Sequence, residues 1–272
     1  MEALLGMIHQ PINDELQEIE VNQDSAYGYY LLLHATDAYM MNDKMEHKLI
    51  LEEMSSVIKR YDSKFQYETL SCGKPYIVSF CTEKDYLPMW QIYAKGGNGI
   101  CLVFEIEEDN SLYQLNESNN GNSFKEIKLC DCKYVSKVDL QQLKDKWTKS
   151  IKAVYENENE NENMHLISPE TPFLNLYKEA VIHKPKEWEY EKETRLVCWT
   201  MYPNIKKGKN GICPYVAVKM PLRCLKEIII GPSPNQDINT YAIKEMIKVN
   251  EWDKLEDYGI NISVTESKIA LR

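Results

Sequence analysis

Arginine is scarce in this chain: of 32 basic residues only Arg60, Arg195, Arg223 and Arg272 are arginine. A chain that uses lysine for its other positive charges keeps the planar, bidentate donor for few places. Long apolar runs are missing too. No window approaches the roughly 18 consecutive apolar residues of a membrane helix, so a soluble, cytoplasmic protein with no membrane partner is expected. Positive charge is in deficit: 42 acidic side chains leave a net charge of −10. That balance repels a phosphate backbone and argues against a general nucleic-acid binder. The eight cysteines show no C-x-x-C spacing and most sit singly in apolar stretches, and no secretory leader is expected. Reduced thiols are expected, and no metal is predicted. Cys130 and Cys132, two apart on an expected strand, would need further ligands from elsewhere.

What is present suffices for a folded core: 272 residues, 43% hydrophobic and 27% charged, in the ordinary range of globular proteins. Leu4, Leu5, Met7 and Ile8 have helical spacing and predict a helix at the start. Tyr29 to Asp37 reads as a buried strand and Lys44 to Arg60 as a helix, with Asn42 or Asp43 as its N-cap. Tyr76 to Cys81 is a strand, Asp85 to Tyr93 a short helix, and the Gly-rich turn Lys95 to Gly99 leads into a strand from Ile100 to Glu107. That turn is no phosphate loop, because no helix follows it. A strand pair from Glu126 to Val135 and a helix from Asp139 to Tyr155 precede the Glu/Asn repeat at about 156–163. The repeat is expected to be a mobile surface loop. A helix from Phe173 to Ile182, strands at Tyr215 to Met220, Leu225 to Ile230 and Asn261 to Ala270, and a helix from Ile238 to Val249 complete the reading. Without regular βαβ alternation this is one α+β domain over residues 1–272, a mixed, mostly antiparallel β core flanked by helices.

The segment His183 to Thr200 carries the densest chemistry. Read as a strand of period two, it puts Trp188, Tyr190, Lys192 and Thr194 on one face and Glu189, Glu191, Glu193 and Arg195 on the other. Carboxylates in a row raise each other's pKa values and are tolerated where a cation or ligand uses them. Glu191 and Glu193 have the spacing for two separate jobs, one holding a sugar hydroxyl and the other stabilising an oxocarbenium ion or taking a proton. The plain alternative is a solvated edge strand. Ser79 and Cys81 end the second strand, and Trp90 and Tyr93 share a face of the following helix, able to stack on a planar ring or to fill the core. Cys81 lacks an identifiable base and reads as inert. His34, among apolar neighbours, reads as a half-buried histidine or a ligand contact.

Six segments in order, EALLGMI, LHATDAYMMNDKMEH, VSFCTEKDYLPMWQIYAKGGNGICLVFE, KEWEYEKETRLV, LKEIIIGP and SKIALR, resemble the bacterial domain-of-unknown-function family 2971. A short strand with a Tyr-x-Tyr-x-Ser type motif precedes the EALLG segment in that family, and this chain is expected to lack it. The family's layout is similar to that of ADP-ribosyltransferase-type domains, in which a first-strand arginine or histidine, a middle serine or tyrosine and a late glutamate hold NAD. On that resemblance Ser79 takes the middle position, Trp90 and Tyr93 the aromatic wall, and Glu191 with Glu193 the Glu-x-Glu. The first-strand residue would fall in the segment that this chain is expected to lack.

The implied function is an NAD-using ADP-ribosyltransferase or glycohydrolase, a toxin-like or phage-defence effector. Its catalytic residues are Glu193, Glu191 and Arg195, its ligand contacts Ser79, Trp90, Tyr93, Trp188, His34, Asn42 and Asp43. NAD enters as substrate. One alternative is a non-catalytic sensor binding a small nucleotide or a protein through the same pocket. The other is a metal-dependent nuclease built on Asp37, Asp43 and Glu46 with Glu191 and Glu193.

Overall fold

The computed structural model describes residues 3–8, 21–24, 28–37, 74–94, 96–106, 112–115, 125–127, 129–139, 141–143, 145–146, 148–149, 181–200, 203–208 and 211–270. In chain order these hold β1 (Ala3–Ile8), β2 (Val21–Asp24), β3 (Gly28–Asp37), β4 (Lys74–Cys81), helix α1 (Leu87–Ile92), β5 (Ile100–Glu105), β6 (Leu112–Leu115), β7 (Lys125–Ile127), β8 (Leu129–Asp131) and β9 (Lys133–Val135). There follow β10 (His183–Pro185), β11 (Glu193–Thr200), β12 (Asn204–Gly208), β13 (Gly211–Pro221), β14 (Leu225–Ile230), helix α2 (Gln236–Val249) and β15 (Ser263–Glu266). The fold is α+β. Its sheets are mostly antiparallel, with parallel pairing between β9 and β10 and between β14 and β15. Asn42, Asp43, the expected helix from Lys44 to Arg60 and the Glu/Asn repeat lie outside the described residues.

The opening segment is a strand, not the expected helix. β1 pairs with β5 from Ala3↔Glu105 to Ile8↔Ile100. Six apolar-rich residues suit a strand enclosed between neighbours as well as they suit a helical turn, and pairing with β5 satisfies their backbone groups.

The main sheet forks at β4. One edge of β4 pairs with β11 along its whole length, from Glu193↔Cys81 to Thr200↔Lys74. Its other edge meets β3 only at Thr36↔Ile77 and Asp37↔Tyr76, and β1 only at Leu5↔Cys81. The residues between, Val78 to Phe80, lie where the sheet divides into a β1–β5–β14–β15 branch and a β3–β13 branch.

The two faces differ. Alternation along β4 and β11 sends Tyr76, Phe80, Leu196 and Cys198 into the main core, joined by Phe104, Ile228 and Ile230, with Ile243 of α2 packed over them. The opposite face carries Ile77, Ser79 and Cys81 of β4 beside Val197, Arg195 and Glu193 of β11. There α1 covers a second cluster of Cys81, Met89, Trp90, Cys101, Val103 and Ile229. Pro88 in the first turn of α1 suits a position whose backbone N–H has no helical partner.

Candidate functional site

The row of charges expected on one strand is divided between two elements. Lys186–Glu191 is a 3-10 turn, Lys192 follows in the left-handed conformation at φ 46° and ψ 49°, and β11 starts at Glu193. This joint, fixed by Thr82 N–H donating to Lys192 O at 2.9 Å, turns Glu191 back toward Glu193. Glu189 stays exposed on the turn. The two carboxylates converge by a reversal of the chain instead of by strand alternation.

Lys184 of β10 stands between them. Its Nζ donates to Glu191 Oε2 and, at 2.9 Å, to Glu193 Oε2. Arg195 donates from Nε to Glu193 Oε1 at 2.7 Å, from Nη2 to Glu193 Oε2 at 2.9 Å, and from Nη1 to Val181 O at 2.7 Å. All four are deeply buried: Lys184 is 1% exposed, Glu191 3%, Glu193 6% and Arg195 0%. Two cations and two anions balance, which is what lets charges this buried persist.

The remaining contacts hold this quartet in place. Tyr93, just past α1, donates its hydroxyl to Glu191 Oε1 at 2.7 Å. Glu193 N–H donates to Tyr134 Oη at 2.7 Å, and Thr194 Oγ1 to Asp131 Oδ1 at 2.6 Å. The Lys184 ammonium also lies 5.1 Å from the Trp188 ring centre, a cation–π contact. Ser79, opposite Arg195 on β4, has a buried hydroxyl without a hydrogen-bond partner.

The electrostatics run against mutual repulsion. Burial alone would raise the Glu193 pKa, but the Arg195 charge and hydrogen bonds, with Lys184, outweigh it and bring it down to about 2. Glu193 is a permanent anion near neutral pH. Burial pushes Cys132 and Tyr134 up to about 12 each, and it raises Cys81, so none of these is an activated nucleophile. The seven described cysteines are thiols, not disulfides.

Of the residues singled out in the sequence, Glu191, Glu193, Arg195, Tyr93, Trp188 and Ser79 come together. Trp90 does not present a face to a ligand: it is 0% exposed in the α1 core, and its Nε1 donates to Asp85 Oδ1 at 2.9 Å. His34 lies across the fork on β3, exposed, beside Lys206 and Tyr215. Lys184 and Tyr134 went unread, since a lysine in His-Lys-Pro-Lys looks solvated until β10 pairs with β9.

Among the described residues no group of three or more His, Cys, Asp or Glu is placed to hold a metal ion. Glu191 and Glu193 are already neutralised by Lys184 and Arg195, leaving little charge for a cation. Asp43 and Glu46 of the nuclease reading fall outside the described residues. No described helix is long and apolar enough to cross a membrane.

No curated protein and no solved structure matches the chain. Residues 89–196, a segment that spans Tyr93 and the quartet, match the family model described as protein of unknown function (DUF2971).

Proposed function

We propose that this chain cleaves the N-glycosidic bond of a nicotinamide dinucleotide, as an ADP-ribosyltransferase or glycohydrolase, with Glu193 as the anion that stabilises the oxocarbenium-like transition state. One observation carries the reading: a buried, hydrogen-bonded carboxylate pair at the point where the sheet forks. A carboxylate with a pKa of about 2 is no proton carrier near neutral pH, so Glu193 is suited to charge stabilisation alone. Glu191, held by the half-buried Tyr93 hydroxyl, is the partner suited to a sugar hydroxyl. Arg195 fixes the orientation of Glu193 through its two parallel donors. Such an activity would suit a toxin-like or phage-defence effector.

The test is NAD consumption by the purified full chain beside Glu193→Gln. Loss of turnover in the variant, with the fold kept, is the expected result; equal consumption by both ends the proposal.

The second reading is a binding module without turnover. It is favoured over turnover by the fact that the four carboxylate oxygens of Glu191 and Glu193 all accept from Tyr93, Lys184 or Arg195, which leaves neither carboxylate uncommitted for a reacting atom. A rise in melting temperature with NAD, without product, distinguishes it.

A further inference from the structure

Apolar side chains exposed singly need no partner, but here they gather. Apart from Val138, the most exposed large ones among the described residues stand in two places. Ile205 and Ile212, 62% and 74% exposed, lie on the β12–β13 hairpin. Ile238, Tyr241, Val249 and Tyr258 lie on α2 and on the 3-10 segment Trp252–Tyr258 that follows it. Alternation from Val216, in the main core, puts Pro214 and Ile212 on the core face, with Ile205 opposite Pro214 and Lys207 opposite Ile212. The hairpin runs on beyond Thr36, where the pairing of β13 with β3 ends, so these side chains outrun the core. Tyr258 instead packs edge-on against Tyr29, near the start of β3, at 5.6 Å between ring centres. From Tyr29 to Thr36 the strand spans roughly 24 Å, so the two patches cannot meet within one chain.

The charges around the two patches are opposite. From Thr194 to Lys226 the sequence holds no aspartate or glutamate, although the chain has a net charge of −10, and Lys206, Lys207 and Lys209 fall within that span. Lys206 turns to His34 and the Tyr215 ring, whereas Lys207 is exposed on the face that carries Ile205 and Ile212. Around Val249 and Tyr258 the balance reverses. Glu251, Asp253, Glu256 and Asp257 are exposed, and the one lysine among them, Lys254, is paired with Glu251 at 2.5 Å. An apolar pair rimmed by lysine therefore complements an apolar corner rimmed by carboxylates. Pairing of two β12 edges with each other is disfavoured, because Lys206 and Lys207 would meet their own copies.

We propose that the β12–β13 hairpin of one copy of this chain docks on the Val249–Tyr258 corner of a second copy. The two isoleucines bury against the apolar corner, and Lys207 meets its carboxylates. Because the two surfaces differ, each copy in a pair still has one of them unused, and the contact propagates head to tail instead of closing as a two-fold dimer. The contact does not depend on the chemistry assigned to Glu193.

The test is sedimentation equilibrium of the full chain over a range of concentrations. The expected result is an average mass that rises with concentration above the 31.8 kDa of one chain and falls when salt is added. Two double variants, Ile205→Ser with Ile212→Ser and Val249→Ser with Asp257→Lys, each remove one surface; their circular dichroism is expected to match the parent, since all four side chains are exposed. Each variant alone is expected to stay monomeric. Mixed in equal amounts they are expected to form one-to-one pairs whose mass stops near twice 31.8 kDa, because each supplies the surface the other lacks. A parent chain that stays monomeric, association that survives in either variant alone, or variants that fail to pair when mixed overturns the proposal. The first of these outcomes leaves the hairpin to a different, acidic protein.

Discussion

Arg195 grips Glu193 with two donors, Nε at 2.7 Å and Nη2 at 2.9 Å, although the two residues are neighbours on one face of the same strand. With Lys184 on the same carboxylate, neither charge can be removed without stranding another away from water. Arg195→Met is therefore expected to cost about 3–5 kcal/mol in urea unfolding, the range for breaking a buried pair by deleting one partner. Replacing both, as Arg195→Met with Glu193→Gln, is expected to cost less than the sum of the single changes. Additive losses, or an Arg195→Met loss under about 1 kcal/mol, would show that the pair is not coupled.

The Glu193 pKa sets a pH window. Its folded value is depressed from 4.5 to about 2. The native state therefore holds fewer protons than the unfolded chain between these values, and the stabilisation present above pH 4.5 is lost as pH falls toward 2. The depression from 4.5 to about 2 corresponds to roughly 3 kcal/mol. Chemical unfolding measured across that window is expected to show a shallower acid loss in Glu193→Gln than in the parent chain. Equal slopes would remove Glu193 as the cause.

Much of the sheet was legible because alternation and apolar runs report burial directly. β3, β4, β5 and β14 lie where Tyr29 to Asp37, Tyr76 to Cys81, Ile100 to Glu107 and Leu225 to Ile230 were expected. β1 was misread because its few apolar residues fit two periods. The 3-10 turn ending at Glu191 was missed for a different reason. Its exit needs a left-handed residue, usually glycine or asparagine, and here that residue is Lys192. The pairing of Glu191 with Glu193 was anticipated, but the cation between them was not. Lys184 becomes a buried partner only through parallel pairing with Lys133–Val135, some fifty residues away, and no local pattern encodes that.

Asp85 ties the site to the far end of the chain. At φ 48° it accepts from Trp90 Nε1 at 2.9 Å, from Ser267 Oγ, and from Lys268 N–H at 2.9 Å. Asp85→Ala leaves a buried indole N–H without its acceptor, at a cost of about 2–3 kcal/mol. Because α1 then loses its anchor, the amides around Tyr93 are expected to exchange faster, weakening the hydroxyl contact to Glu191. Asp85→Asn keeps one acceptor oxygen and is expected to lose less. Unchanged exchange at Tyr93 in Asp85→Ala would separate the anchor from the site.

Gly231 marks a closer approach of backbone to backbone. Its N–H donates to Gly99 O at 3.0 Å, and a Cβ on it would stand 2.2 Å from Gly97 O and 2.8 Å from Gly99 O. Those are main-chain atoms of the turn between α1 and β5, which cannot swing aside as a side chain does. Gly231→Ala is expected to cost about 3 kcal/mol or more, measured by urea unfolding. Gly28 provides the contrast, with φ +71° and nothing within 4 Å of its Cβ position. There alanine meets only the backbone penalty of a left-handed residue, about 1–2 kcal/mol. If the two substitutions cost the same, the crowding at Gly231 is not what holds the end of β14 against that turn.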